Sequence, residues 1–193
     1  MQTRPLALVM TITMLGAAPL AAADEAPKSY AVDGGASEVV YHLVHKLHKV
    51  DGRTHRVDGR AALTPDGRAQ VELRLPPDSF DSGNVNRDAH MKEVLEVAKY
   101  PTLELKALCN GLKLPAAGQT QIVPCKAQVD LHGNKQLLDI KVEVTSNPDG
   151  SIRGVTHFPV SLDAFKIERP SLMFVKVDDA VEIDAKLLFK PKS

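Results

Sequence analysis

Short runs in which apolar and polar residues alternate, separated by turn residues at close and regular intervals, set the limits on what this chain can fold into. Ala69 to Leu75 is the clearest. Val71, Leu73 and Leu75 fall on one side of an extended chain, and Glu72 and Arg74 on the other. Glu38 to Leu47 places Val39, Tyr41, Leu43, His45 and Leu47 on one face and Val40, His42, Val44 and Lys46 on the other, the first being the more apolar. Further strands are expected over 53–63, 102–109, 125–131, 138–144, 152–162 and 181–189. Asp51-Gly52, Pro65-Asp66-Gly67, Gly133-Asn134 and Asn147-Pro148-Asp149-Gly150 supply turns between them. The pattern is that of an all-β chain of eight strands in an antiparallel meander, and eight is a number that closes. An eight-stranded up-and-down barrel has no free edges, and its interior is either filled by side chains or open to one small ligand.

One stretch breaks the alternation. Ser79 to Pro101 carries the long helical signal: Asn84 or Asn86 can cap its start, Asp88 sits near the positive end of the helix dipole, and Pro101 marks the stop. Met91, Val94, Leu95 and Ala98 share a narrow apolar face with Arg87 one turn earlier, so one α-helix, taken as Arg87 to Ala98, flanks the barrel. Arg87 beside Asp88 has two readings, a structural ion pair or a grip on an anionic head group. Asp163 to Asp179 has no clean period and is expected to cross irregularly between the last two strands.

Residues 1–23 stand apart. Arg4 is a thin positive start, Leu6 to Ala18 is an apolar run too short to span a bilayer, and Ala21-Ala22-Ala23 offers small residues for cleavage. The segment reads as a signal peptide followed by one domain, 24–193, so a periplasmic or secreted protein is expected. No cysteine follows the apolar run to take a lipid anchor. Losing Arg4 and no acid leaves a formal charge of −1, and no basic block appears, which argues against nucleic acid as a partner. Trp is absent and aromatic residues are 4% of the chain, so a lumen would be walled mainly by aliphatic side chains.

Cys109 and Cys125 are the two cysteines of the chain, set at either side of an expected loop on consecutive antiparallel strands. In a disulfide-permissive compartment they are expected to bond, the alternative being two buried thiols. His42, His45, His48 and His55 crowd one region, yet on a strand they scatter over both faces, and no metal site or cofactor is expected. His45 lies among apolar residues as either a satisfied core histidine or a head-group contact. No nucleophile elbow, phosphate loop, dinucleotide fingerprint or haem motif occurs, and Asp178-Asp179 reads as a solvated turn pair.

Ser79-Phe80-Asp81-Ser82-Gly83, Asn86-Arg87-Asp88-Ala89-His90-Met91 and Ala98-Lys99-Tyr100-Pro101-Thr102 together resemble the signature of the YceI-like periplasmic proteins. The likeness extends from about Tyr30 to Phe189, with looser matches at Val129-Asp130-Leu131-His132-Gly133 and Asp179-Ala180-Val181-Glu182-Ile183. It departs from the family pattern at Val94-Leu95, where two phenylalanines are usual. The resemblance implies a lipocalin-like barrel carrying an isoprenoid or other long-chain lipid. On that reading the ligand contacts are Tyr41, Leu43, Leu47, Leu103, Leu105 and Phe158 from the strands and Met91 and Leu95 from the helix, with His45 or Arg87 as the polar contact. The expected partner is thus a hydrophobic small molecule, and no enzymatic step is expected. An exported enzyme acting on a hydrophobic substrate and a stress or interaction module with a filled barrel are the alternatives, and the oligomeric state, a homodimer included, stays open.

Overall fold

The computed structural model describes residues 25–45, 48–172 and 175–192, and the side chains within them except those of residues 45, 48, 172 and 175. The expected signal peptide, Leu47 and the side chain of His45 therefore lie outside the described residues. Twelve extended segments and one helix follow in order: β1 Lys28–Val32, β2 Glu38–His45, β3 His48–Thr54, β4 Asp58–Leu63, β5 Ala69–Leu75, α1 Val85–Val94, β6 Leu103–Cys109, β7 Thr120–Leu131, β8 Asn134–Ser146, β9 Ile152–Ser161, β10 Ser171–Leu172, β11 Val175–Lys176 and β12 Ala180–Pro191.

Ten of the twelve segments make eight staves, and β10 and β11 pair with each other as a separate ribbon. β1 and β2 run in one direction, broken by a 3-10 turn at Gly34–Ala36, and pair with β4 and β3 respectively, so each couple acts as one bent strand. From there every neighbour is antiparallel, through β5, β6, β7, β8, β9 and β12. β12 closes the circuit by pairing β1 at Val32↔Phe189 and β2 at Val181↔Leu43. The result is the closed eight-stranded antiparallel barrel with, among the described residues, a single α-helix. The alternation expected from the sequence points as the pattern implied: Ala69, Leu73 and Leu75 of β5, Ala107 and Cys109 of β6, and Cys125, Ala127 and Val129 of β7 are all buried.

Four local expectations are corrected. Asp51-Gly52 is not a hairpin turn but lies inside β3, opposite His42 and Tyr41. The glycine is there for packing: a Cβ would fall 2.3 Å from Cε1 of Tyr41, whose ring lies over it. The turn before β8 is His132-Gly133, both at positive φ (53° and 67°), one residue earlier than expected. β7 begins at Thr120, so the expected loop is shorter and Pro124 sits within a strand. It does so where β7 runs past the end of β6, whose pairing stops at Cys109↔Cys125, and its missing N–H forfeits no ladder bond there. Finally, α1 ends at Val94 and Glu96 turns the chain at φ 46°, which leaves Ala98 exposed and outside the helix.

The barrel wall is not continuous in hydrogen bonding. β8 and β9 pair only through Val142–Ser146 and Ile152–Thr156. Beyond that they diverge, and the turn after β9 fills the gap with Phe165 and Ile167, 1% and 3% exposed. Asn134 Nδ2 donates to the Phe165 carbonyl and Gln136 Nε2 to that of Ala164, both at 2.9 Å, so the turn replaces the missing strand contacts.

Candidate functional site: the lumen

Inward alternation of mostly aliphatic residues leaves the barrel hollow. A cavity of about 460 Å³ occupies the α1 side of the lumen. Tyr41 and Leu43 reach it from β2, Leu103 and Leu105 from β6, and Phe158 from β9, while α1 contributes Arg87 and Met91 and its C-cap is Leu95, which borders the cavity too. The structure thus brings eight of the ten expected contact residues to one space. Others that border it include Leu73, Leu75, Val129 and Ile183, whose positions follow from the same alternation, and Phe80 and Ile167, which lie in irregular segments without a periodic signal. His90 also reaches the cavity from α1. Among the described residues four lining side chains carry polar groups: Tyr41, Arg87, His90 and Ser171.

The helix is placed by its cap and the loop before it. Asn84 Oδ1 accepts from the N–H groups of Asn86 and Arg87 at 3.0 and 3.1 Å. The preceding loop is stitched to β3 by a bridge in which Arg53 and Asp81 exchange backbone bonds of 3.0 and 2.9 Å, so this strand edge is covered. A short relay adds to it: the Arg56 N–H donates to Thr54 Oγ1, which lies 2.7 Å from Ser79 Oγ, and that hydroxyl donates to the Pro76 carbonyl. No residue of α1 is fully buried, so the helix is held by this loop and by one face turned to the lumen.

Arg87 and Asp88 do not pair with each other; both bind Ser82. Ser82 donates to Asp88 Oδ1 through Oγ (2.6 Å) and its N–H (3.1 Å), while Arg87 donates to the Ser82 carbonyl (2.8 Å) and to Oγ (3.3 Å). Arg87 stays exposed at the cavity's rim. Burial, reinforced by the negative charge of Asp88, pushes the Tyr41 hydroxyl up to about 12, so this residue borders the cavity in its neutral form. Its ring meets Phe80 edge-on at 5.3 Å.

A second, smaller space of about 100 Å³ lies further along the lumen, bordered by Tyr30, Ala61, Ala107, Cys109 and Gly154 among others. Cys109 and Cys125 face each other across β6 and β7 and are joined as a disulfide, with Cα atoms 4.1 Å apart.

On the outer face the His42 ring nitrogens lie 2.8 Å from an Asp51 carboxylate oxygen and 2.9 Å from one of Asp184, the imidazole donating and the carboxylates accepting, and Asp184 continues to His157 at 2.7 Å. His55 bonds the Ser37 carbonyl at 2.7 Å. Among the described residues no three His, Cys, Asp or Glu side chains gather as a metal-binding group, and no helix is long and apolar enough to cross a membrane. Asp179 is a structural cap: its carboxylate accepts the Asp163 N–H at 2.7 Å, and that bond leads the causes that lower its pKa.

A closed antiparallel barrel with a hollow apolar lumen and one helix against it is a lipocalin-like barrel. The chain belongs to the family of YceI-like domains, which matches it over residues 30–189. Among solved structures it is similar in fold to a polyisoprenoid-binding domain from Saccharophagus degradans implicated in plant cell wall breakdown (20% identity, 84% of this chain and 98% of that one, TM-score 0.71). It is similar also to Burkholderia cenocepacia BcnA (17% identity, 81% and 98%, TM-score 0.68). A YceI protein from Campylobacter jejuni is more distant (12% identity, 78% and 89%, TM-score 0.58). Comparison with curated proteins gives no match.

Proposed function

We propose that this chain is an exported carrier that holds one long-chain hydrophobic molecule, an isoprenoid or another lipid, in the barrel without acting on it chemically. The observation that carries the reading is the cavity of about 460 Å³, walled by aliphatic side chains and bordered by few polar ones. An apolar tail suits that wall. Ten buried methylenes would contribute about 8 kcal/mol before the entropy of binding is subtracted. The polar end of such a molecule would lie at the rim near Arg87, His90 and the Tyr41 hydroxyl, where Arg87 can donate to an anionic or a neutral oxygen. The similarity in fold to a polyisoprenoid-binding domain supports the same class of ligand. Export follows from the signal-peptide reading of residues 1–23, with a periplasmic or secreted destination.

Mass spectrometry on solvent extracts of protein purified from its native host tests the reading directly. A bound lipid is expected, as is an intact mass lacking Met1 to Ala23. Leu95→Arg should abolish lipid retention by placing a charge in the apolar contact, with circular dichroism showing that the barrel persists. Turnover of a hydrophobic substrate would favour an enzyme instead. Folded protein that arrives empty and takes up no long-chain probe would leave an interaction module in its place.

A further inference from the structure

We propose that Leu73 and Leu105 form a stop that sets the length of hydrophobic chain the lumen accepts, with the small space behind them as a closed extension; the inference rests on the carrier reading above. Among the described residues these two leucines alone border both spaces. They face each other directly in the β5–β6 register, and Leu73 is 8% exposed. Its Cδ2 lies 2.7 Å from where a Cβ on Gly59 would sit, so the glycine opposite gives the branch its room.

Behind the stop the wall changes character. Ala61, Ala62, Ala69, Ala107 and Gly154 are interspersed among the larger aliphatic residues that border the extension, whereas among the described residues no alanine or glycine borders the larger cavity. Small side chains on a barrel wall leave space that the rigid backbone cannot close, and the Cys109–Cys125 bond ties β6 to β7 beside it. A tail that reaches Leu73 and Leu105 therefore stops against their branches, with about 100 Å³ of apolar space beyond. At roughly 30 Å³ for each methylene, close to the share of one water in the liquid, the extension would hold about three more.

The test is a chain-length profile. Saturated fatty acids from decanoate to docosanoate, and isoprenols from geraniol to geranylgeraniol, displace a fluorescent long-chain fatty acid from the purified protein, and the tightest member of each series marks the optimum. In Leu105→Ala, and separately in Leu73→Ala, the fatty-acid optimum should move to acids longer by about three methylenes. The longest members should gain about tenfold or more in affinity. Adding Ala107→Leu to Leu105→Ala refills the extension and should bring the optimum back. Circular dichroism accompanies each variant, and Leu105→Val serves as the milder change where alanine unfolds the barrel. An unmoved optimum in folded variants overturns the stop and leaves the carrier reading standing. Wild-type protein that binds neither series overturns both.

Discussion

Replacing Gly59 by alanine tests whether the close approach of β4 to β5 is a packing requirement. Gly59 lies opposite Leu73, and a Cβ there would sit 2.5 Å from the Glu72 carbonyl oxygen, 2.7 Å from Leu73 Cδ2 and 3.1 Å from Val32 Cγ2. Ordinary contacts between carbon atoms lie at about 3.5–4.0 Å, so the first two overlap by about 1 Å. Leu73 can swing aside; the carbonyl belongs to the β4–β5 ladder and moves only if the strands part. Overpacking of this kind costs about 1–3 kcal/mol, against which alanine recovers about 0.5–1 kcal/mol over glycine within a strand. A net loss of up to about 2.5 kcal/mol in a chain of this size lowers Tm by up to about 10 °C. Gly154→Ala is the matched control. It also sits in a barrel strand, but its Cβ would meet Val142 Cγ1 at 3.6 Å and Phe189 Cε2 at 3.7 Å, which is ordinary contact. Gly154→Ala should therefore be as stable as the wild type or more so. Urea unfolding and thermal melts of the two variants, each with its disulfide intact, decide the matter. Equal midpoints, or a Gly59→Ala protein more stable than Gly154→Ala, would refute the reasoning from close approach.

Three further outcomes are expected. Reducing the Cys109–Cys125 bond, which spans 16 positions of sequence, should lower stability by about 3 kcal/mol in a urea titration, and alkylation of oxidised protein should label no thiol. The His42 imidazole has a raised pKa because it hydrogen-bonds Asp51 and, less strongly, Asp184, burial working the other way. Its contribution to stability is full below the ordinary imidazole value of about 6.5 and is lost as pH rises through the higher folded value, so the deficit of His42→Gln should shrink as pH rises above about 6.5. A deficit independent of pH would dissociate His42 from proton linkage. Gly52→Ala should displace the Tyr41 ring from β3 into the lumen, weakening its edge contact with Phe80, so a Tyr41→Leu background should remove most of the penalty in a double-mutant cycle.

The barrel was legible because its faces repeat every second residue. Once β5 reads Val71, Leu73, Leu75 inward, a one-residue slip would turn Gln70, Glu72 and Arg74 into the core, so the register has one acceptable value. The same logic placed Leu103 and Leu105 on the lumen. It could not say whether the lumen was filled, because that depends on how side-chain volumes sum around the barrel rather than along any one strand. Phe80 and Ile167 were missed because their inward direction comes from the loops that carry them, which have no period.

Asp51-Gly52 shows how a local signal is overruled. Asp-Gly favours a tight turn because glycine tolerates positive φ, yet a glycine also leaves room for a ring, and the two demands look alike in a sequence. Here the second prevails: Gly52 keeps extended pairing with Tyr41, Asp51 turns outward to His42, and β3 continues to Thr54, where it receives the loop that carries α1. A turn at Asp51-Gly52 would have ended the stave early and left neither Arg53 to bridge Asp81 nor Thr54 to meet Ser79. The ring of Tyr41 over Gly52 is thus tied to the placement of the helix, and so to the position of Arg87, Met91 and Leu95 against the cavity.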